Sequence, residues 1–435
     1  MLIGIDDTDS NEGMCTTYLG ALLQEELRAY GNVAAEPVLI RLNPTIPYKT
    51  RGNAAVALKI ETKSAEKVMK HVLERVEAFA RFECEKTNPG VIFVPEKDIK
   101  RLKTPLWTFL GRAIKEVLTI KEAKTLIQEL KIPFKAYKNG RGLIGALAAC
   151  GALLNLEKWD HTFEYLAYRE KCRLKPFSPR KVETKSLYDA DLATYPQTWD
   201  TVDYANGIPV CVPHSPDPVL YGIRGESVEA VSRAVAKIKA EPVERFCVYR
   251  TNQGTDMHLL PVDRIEKIKD MHSYSLEGRV LKTPETIEGG HVIFSLQDRK
   301  GAELDCAAFE PTKNFRNLVR KLLPGDRVLL SGSVKNQTLN IEKLEIKALA
   351  PQYREENPKC PICGKHMKSA GRAQGFRCKP CETTAKSKIC VEEKRDLFPG
   401  VYEVPPCARR HLAKPLVREK AFFKGEDKHK INPSR

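Results

Sequence analysis

A chain of 435 residues is too long for one hydrophobic core, so several domains are expected. Hydrophobic (42%) and charged (29%) contents are ordinary, but a net charge of +16 points to a polyanionic partner such as nucleic acid, while 7% aromatics exclude a protein built mainly of stacking platforms. No apolar run reaches bilayer length and the amino terminus carries no charged-then-apolar leader, so a cytoplasmic protein without a membrane partner is expected, its thirteen cysteines free or metal-bound.

The most informative stretch comes first. Leu2–Ile5 reads as a strand that ends in Asp6, Asp7 and Asp9, within GIDDTDSNEGMCTTY at residues 4–18. Carboxylates grouped at a strand's carboxyl end can hold a hard divalent cation over a phosphate; the same spacing also fits an Asp-rich turn. After the turn at 13–17, leucines 19, 22, 23 and 27 recur at helical spacing, and Thr16 or Thr17 could cap that helix. Strand-like Val38–Leu42 and Ala54–Ile60 bracket the loop NPTIPYKTRGN (43–53), in which Lys49, Arg51 and Asn53 stand beside a glycine turn. Cations and backbone N–H groups so placed suit phosphate, although no GxxxxGK[ST] pattern occurs and a plain charged turn reads the same way. Helix is expected over 65–79, through much of 106–130 and over 141–154, with a short strand at 90–94. These elements make an α/β unit of residues 1–155.

A second unit, 156–270, is expected to be a ferredoxin-like α+β domain, with strands near 163–168, 207–212, 219–223 and 245–249 and a helix over 226–238. Its last strand runs into YRTNQGTDMH (249–258), where Arg250, Thr251, Asn252, Gln253, Asp256 and His258 concentrate hydrogen-bonding groups next to Gly254. Such a loop could hold a polar substrate or simply end a strand. Asp200 and Asp203 form a lesser acidic candidate. Residues 271–350 show five short strands with a helix, 313–322, between the third and fourth, the pattern of an OB-fold β-barrel.

Cys360 and Cys363 form one knuckle, and Cys378 and Cys381 a second. Four thiolates at this spacing close a tetrahedral shell around structural Zn²⁺ in a ribbon at 351–385, with no open position for substrate. A redox disulfide would account for only two of the four, His366 is not needed as a ligand, and Cys390 and Cys407 are read as free. With a basic tail at 386–435, barrel and ribbon make a nucleic-acid-binding half; a protein-interaction ribbon is the alternative.

In this order, GIDDTDSNEGMCTTY, RLNPTIPYKTRGN, GRGLIGALAA, YRTNQGTD, the OB-like barrel and the paired CxxC knuckles resemble the archaeal tRNA(Ile) 2-agmatinylcytidine synthetases, the TiaS family. The resemblance implies an amino-terminal kinase-like domain that uses ATP with Mg²⁺. It also implies that the 2-carbonyl of the wobble cytidine of an isoleucine tRNA, anticodon CAU, is phosphorylated and then displaced by agmatine, giving agmatidine so that AUA is read as isoleucine. On that basis Asp6, Asp7 and Asp9 are the catalytic carboxylates, with Asp6 and Asp7 toward magnesium, and Lys49, Arg51 and Asn53 bind ATP phosphates. Thr17, with Thr16 as alternative, is the phosphate-handling threonine. Asp256 with Asn252, flanked by Arg250 and Thr251, is the favoured agmatine receptor, and Asp203 the lesser one. No obligate protein partner is expected. Two other readings are another ATP-dependent tRNA-modifying enzyme and a non-enzymatic OB/zinc-ribbon RNA-binding protein.

Overall fold

A computed structural model of the chain describes residues 1–174 and 178–419. The amino-terminal sheet contains β1 (Leu2–Asp6), β2 (Val38–Arg41), β3 (Ala54–Glu61), β4 (Gly90–Val94) and the edge strand β5 (Phe134–Ala136). The order is β5-β4-β1-β3-β2, with every pairing antiparallel. Because strand side chains alternate, Ile3 and Ile5 face one layer and Leu2 the other. The helices α1 (Thr16–Glu26) and α2 (Ala65–Phe79) cover the first face. The second face carries α3 (Ile99–Lys115), α4 (Ile120–Glu129) and α5 (Leu143–Leu154). With helices on both faces, each fully buried Leu or Ile contributes roughly 1.5–3 kcal/mol.

Helix α5 is buried from Leu143 to Ala152, and its small residues let it lie directly on the sheet. A Cβ on Gly4 would come within 2.3 Å of the Ala146 carbonyl oxygen. The helix-rich stretch expected at 106–130 is two helices broken at residues 116–119, where Thr119 and Glu122 form a capping box that starts α4.

The second unit contains β6 (Thr162–Arg169), α6 (Thr184–Thr194), β7 (Val219–Gly225), α7 (Val228–Val235) and β8 (Val243–Thr251). With the short strand Thr198–Trp199, its sheet runs β8-β6-β7-Thr198, the ferredoxin-like order, antiparallel throughout. One helix was not expected, and one expected strand shortens. The stretch TKSLYDADLAT shows no apolar stripe, because α6 buries Ser186, Asp191 and Thr194 as well as Leu187 and Ala190. The strand expected at 207–212 is reduced to Ile208–Pro209 paired with Val202–Asp203.

Edge strand β8 also pairs in parallel with β2, Arg250 opposite Val38 and Thr251 opposite Leu39. The two α/β units therefore share one continuous sheet.

The third unit is a closed barrel of β9 (Ser273–Val280), β10 (Val292–Gln297), β11 (Glu303–Ala308), β12 (Arg327–Lys335) and β13 (Thr338–Ala348). Its order, β9-β12-β13-β11-β10 with β10 returning to β9, and the parallel β11–β13 pair are those of an OB fold. Helix α8 (Phe315–Val319) lies between β11 and β12, as the sequence placed it.

Residues 386–419 do not form a free basic tail. Ile389–Glu393 pairs with Gln352–Glu356 beside the ribbon, and β14 (Gly400–Glu403) adds to barrel strand β13. Residues 404–419 then run back over the α/β units as a strap, burying Leu412 in the core shared by α3 and α5. The remainder of the expected tail, 420–435, lies outside the described residues.

Candidate functional site

Strand β1 ends at Asp6, and the backbone turns sharply there. Asp7 has φ +62°, a left-handed conformation that Asp tolerates better than most residues. Asp6 Oδ1 accepts from the Asp7 N–H (2.8 Å), and Asp7 Oδ2 accepts from the Asn88 N–H (3.1 Å). The floor is tight: a Cβ on Gly145, at the start of α5, would lie 2.0 Å from Asp6 Oδ2. Burial and the neighbouring Asp7 push the Asp6 carboxyl well above the usual range. Burial and Asp9 push Asp7 to about 7, and burial raises Asp9 against the pull of Arg51. Three oxygen-only donors that resist carrying charge together suit a hard divalent cation, whose charge would relieve all three.

Arg51 reaches back from the 43–53 loop. Its Nε donates to Asp9 Oδ2 (3.3 Å) and its Nη2 to the Met14 carbonyl. Arg51 Nη1, Arg141 Nη2 and Thr50 Oγ1 are buried with no hydrogen-bond partner among the described residues. Buried donors left unpaired are costly, and here they surround the carboxylates where an anion would satisfy them. Arg141, just ahead of α5, packs over the Tyr48 ring at 3.9 Å. Lys49 donates to the Pro44 carbonyl (2.7 Å), and desolvation together with Arg410, Lys335 and Arg41 lowers its ammonium. Asn53 instead pins the loop, its Nδ2 donating to the Asn43 carbonyl (3.0 Å).

Three cavities converge on this point. One of ≈ 50 Å³ holds Asp6, Asp7 and Arg141 beneath Tyr48. A second, ≈ 290 Å³, extends past Thr17 toward Glu164, Asp217 and Arg224 of the ferredoxin-like domain. A third, ≈ 610 Å³, is basic, with Arg41, Lys49, Arg51 and Lys335 and with Arg410 of the strap. Gly52 belongs to all three, Asp9 to the first two and Arg51 to the last two.

Both threonines line the 290 Å³ cavity, but they differ in burial and in the partner of the hydroxyl. Thr16 is buried, its hydroxyl 3.0 Å from that of Thr8. Thr17 is half-buried, lies along the 290 Å³ cavity, and has its hydroxyl 3.2 Å from Cys15 Sγ. Neither caps α1: that position belongs to Cys15, whose sulfur accepts from the Tyr18 N–H at 3.3 Å.

The expected agmatine receptor is not an open site. Asn252 is fully buried and pairs twice with Arg41, donating to its carbonyl (2.9 Å) and accepting from its N–H (2.8 Å). Its amide thus continues the β2–β8 ladder for one residue beyond the backbone pairing. Asp256 holds Lys343 of the barrel (2.5 Å) and accepts from the Lys414 N–H of the strap (2.6 Å). Asp203 is buried against Asn206 and the Cys407 N–H. Arg250 pairs with Glu36 (2.8 Å), and Thr251 is buried. These residues join domains. The groups that do face the cavities and that motif reading missed are Arg41, Glu164, Asp217, Arg224, Arg410 and His411. Arg41 and Arg224 sit at or near strand ends, Glu164 inside β6, Asp217 in the loop ahead of β7, and Arg410 and His411 in the strap, and only the strand-terminal position of Arg41 gave any signal.

In the ribbon, the four cysteine sulfurs lie within 4.8 Å of one another, and Cys363 and Cys378 are 3.6 Å apart. A Zn–S bond near 2.3 Å implies tetrahedral sulfur separations of about 3.8 Å, so the set fits zinc. Gly364, at φ +72°, turns the first knuckle and Glu382, at φ +57°, the second. Beyond the cysteines only Met367 is buried in this cluster, and the basic side chains Lys365, Lys368, Arg372 and Lys379 are exposed. Chelation is therefore expected to unfold the ribbon alone. Hydrogen exchange should rise over 357–386 and stay unchanged in β1 and α5, with a flatter salt dependence of nucleic-acid binding.

A strand-borne acidic centre beside a cationic loop, in one chain with an OB barrel and a zinc ribbon, defines a phosphate-handling protein directed at nucleic acid. Family models match for the TiaS TCKD domain over 2–139, the TiaS FLD domain over 140–258, an OB-fold nucleic acid binding domain over 274–350 and the TiaS C-terminal zinc ribbon domain over 357–397. The chain is 66% identical to the tRNA(Ile) 2-agmatinylcytidine synthetase TiaS of Methanosarcina acetivorans, over 100% of both. It is similar to the solved complex of TiaS with its isoleucine tRNA and ATP (49% identity, TM-score 0.86) and to that of TiaS with the same tRNA, AMPCPP and agmatine (46%, TM-score 0.85), each likeness covering 96% of this chain and 97% of the other. The chain belongs to the TiaS family.

Proposed function

We propose that this chain is an ATP-dependent ligase that forms agmatidine at the wobble cytidine of the isoleucine tRNA with a CAU anticodon. The meeting of three chemically distinct cavities at Asp9, Arg51 and Gly52 carries the reading. A reaction with three substrates needs one point reached by all of them. The relative's name and the ligands of the two similar complexes supply the substrates: an isoleucine tRNA, ATP and agmatine.

The chemistry follows from a poor leaving group. A cytidine 2-carbonyl oxygen does not depart on amine attack, but as a phosphate ester it does. The base oxygen first bonds to a phosphorus of ATP as that phosphorus parts from its bridging oxygen. The primary amine of agmatine then bonds to C2, and phosphate leaves with the former carbonyl oxygen. Positioning and charge neutralisation do most of this work. Asp6 and Asp7 are the groups that would hold Mg²⁺, which supplies neutralisation on the phosphates when bound. Arg51 Nη1 and Arg141 Nη2 donate to phosphate oxygens, and Lys49 adds positive charge at the mouth of the basic cavity. Asn53 acts indirectly, by fixing the loop.

The 290 Å³ cavity is assigned to agmatine, with Asp217 as the carboxylate facing its guanidinium in place of Asp256. Barrel and ribbon hold the tRNA through phosphates. No helix among the described residues is long and apolar enough to cross a membrane, and a cytoplasmic location fits the reducing chemistry of thirteen unpaired cysteines.

The test is incorporation of labelled agmatine in the presence of ATP. Label is expected in tRNA with a CAU anticodon and absent from tRNA with GAU; equal labelling, or none, would reject the proposal. Between the threonines, Thr17→Ala is expected to slow turnover at least tenfold with folding intact, whereas Thr16→Ala should act mainly through the lost contact with Thr8 and lower the melting temperature. Normal turnover in Thr17→Ala would remove that hydroxyl from the chemistry.

A further inference from the structure

The strap reaches the site from the far end of the chain, and several independent contacts fix its path. Gly254 N–H donates to the His411 carbonyl and Asp256 N–H to that of Leu412, both at 2.8 Å. Arg409 is buried between Asp200 and Glu403, and Arg418 joins Asp160 and Glu226. The Thr-Asn-Gln-Gly-Thr-Asp loop is thus the cradle of the strap: Asn252 ties it to β2, and Gly254 and Asp256 hold residues 411–414.

That cradle carries one side chain into open space. His411, an exposed residue, lines both the 290 Å³ and the 610 Å³ cavity. Its Nδ1 lies 2.8 Å from Arg224 Nη2. A guanidinium only donates, so Nδ1 accepts and a neutral ring carries its proton on Nε2. Nε2 has no partner among the described residues. Desolvation and the charges of Arg41, Arg224 and Lys49 hold the imidazole well below its usual range, which keeps that neutral tautomer. Arg224 is itself fixed by Glu164 at 3.0 Å, so the ring is oriented from behind.

We propose that His411 is a substrate-binding residue, donating a hydrogen bond from Nε2 to a phosphate-type oxygen where the two cavities join. The inference rests on the reaction assigned above. The oxygen belongs either to the tRNA backbone entering through the basic cavity or to the phosphoryl group carried by the activated base. As drawn, His411 cannot be the base that deprotonates agmatine, because its only lone pair is taken by Arg224.

The experiment uses the full-length zinc-loaded chain with His411→Ala and His411→Gln, the amide of Gln placing an N–H near the position of Nε2. His411→Ala is expected to lower agmatine incorporation roughly tenfold or more, as for loss of a hydrogen bond to a charged group. His411→Gln should recover most of that loss, with a pH–rate profile of unchanged shape. A weaker tRNA affinity in His411→Ala assigns the oxygen to the backbone; a lower kcat at unchanged tRNA affinity assigns it to the transferred group. Wild-type turnover and affinity in His411→Ala would overturn the proposal. So would a His411→Gln variant as slow as the Ala variant, with loss of an acidic limb in the pH profile, which is the behaviour of a general base. A wild-type chain that binds tRNA but joins no agmatine to it rejects the assigned reaction instead, and His411 is then judged on tRNA affinity alone.

Discussion

Asp7→Asn is expected to reduce agmatidine formation by roughly 10²–10³-fold or more, while tRNA affinity stays within about twofold. Asn accepts the left-handed backbone at this position, so the turn survives, and the Asn88 N–H keeps an oxygen to bond. What disappears is the negative charge beside Asp6 and Asp9. The substitution should also separate activity from stability. With its carboxyl at about 7, Asp7 holds a proton in the folded chain that the unfolded chain has already released above about pH 4. Folding stability from this group therefore falls as pH rises from about 4 to 7. In metal-free buffer at pH 8 the variant should melt a few degrees above the wild type, and the gap should close near pH 4. An inactive variant that also fails to bind tRNA, or one less stable at pH 8, would contradict the account.

Arg409→Ala is expected to be among the most destabilising single substitutions, at about 3–5 kcal/mol, because it removes a buried cation from between two buried carboxylates. Asp200 and Glu403 both face this guanidinium, Glu403 at 2.7 Å, and the side chains of all three are at most 5% exposed. The strap should release first. Limited proteolysis is expected to cut within 404–419 while the barrel and the amino-terminal sheet stay intact. Activity should fall with it, since residues 410 and 411 lose their place. Protease resistance equal to wild type would mean that the other anchors suffice.

Much of the architecture was legible because its signals were local. The apolar run of β1 ending in aspartates, the leucine period of α1, the five short strands of the barrel and the two knuckles each depend on residues close together in sequence. The candidate site residues divide along the same line. Asp6, Asp7, Asp9 and Arg51 were readable because a strand end and a glycine turn announce them, and the fold brings Arg51 to Asp9 across 42 positions. The TNQGTD loop reads two ways for a physical reason: hydrogen-bonding density marks a domain junction as readily as a ligand site, and in the structure Asn252 and Asp256 are engaged with Arg41, Lys343 and the strap. Helix α6 escaped because it buries polar side chains, which leaves no stripe to detect. Glu164, Asp217 and His411 carried no signal at all, since each matters only through neighbours far away along the chain.

The backbone ladder between Val38–Leu39 and Arg250–Thr251, extended by the Asn252 amide, has a consequence for motion. Bending the catalytic half at this seam would break main-chain bonds in its interior, so its floor behaves as one rigid plate. Any adjustment to reactants is then expected above this floor, in the 43–53 loop, before it is expected within the sheet.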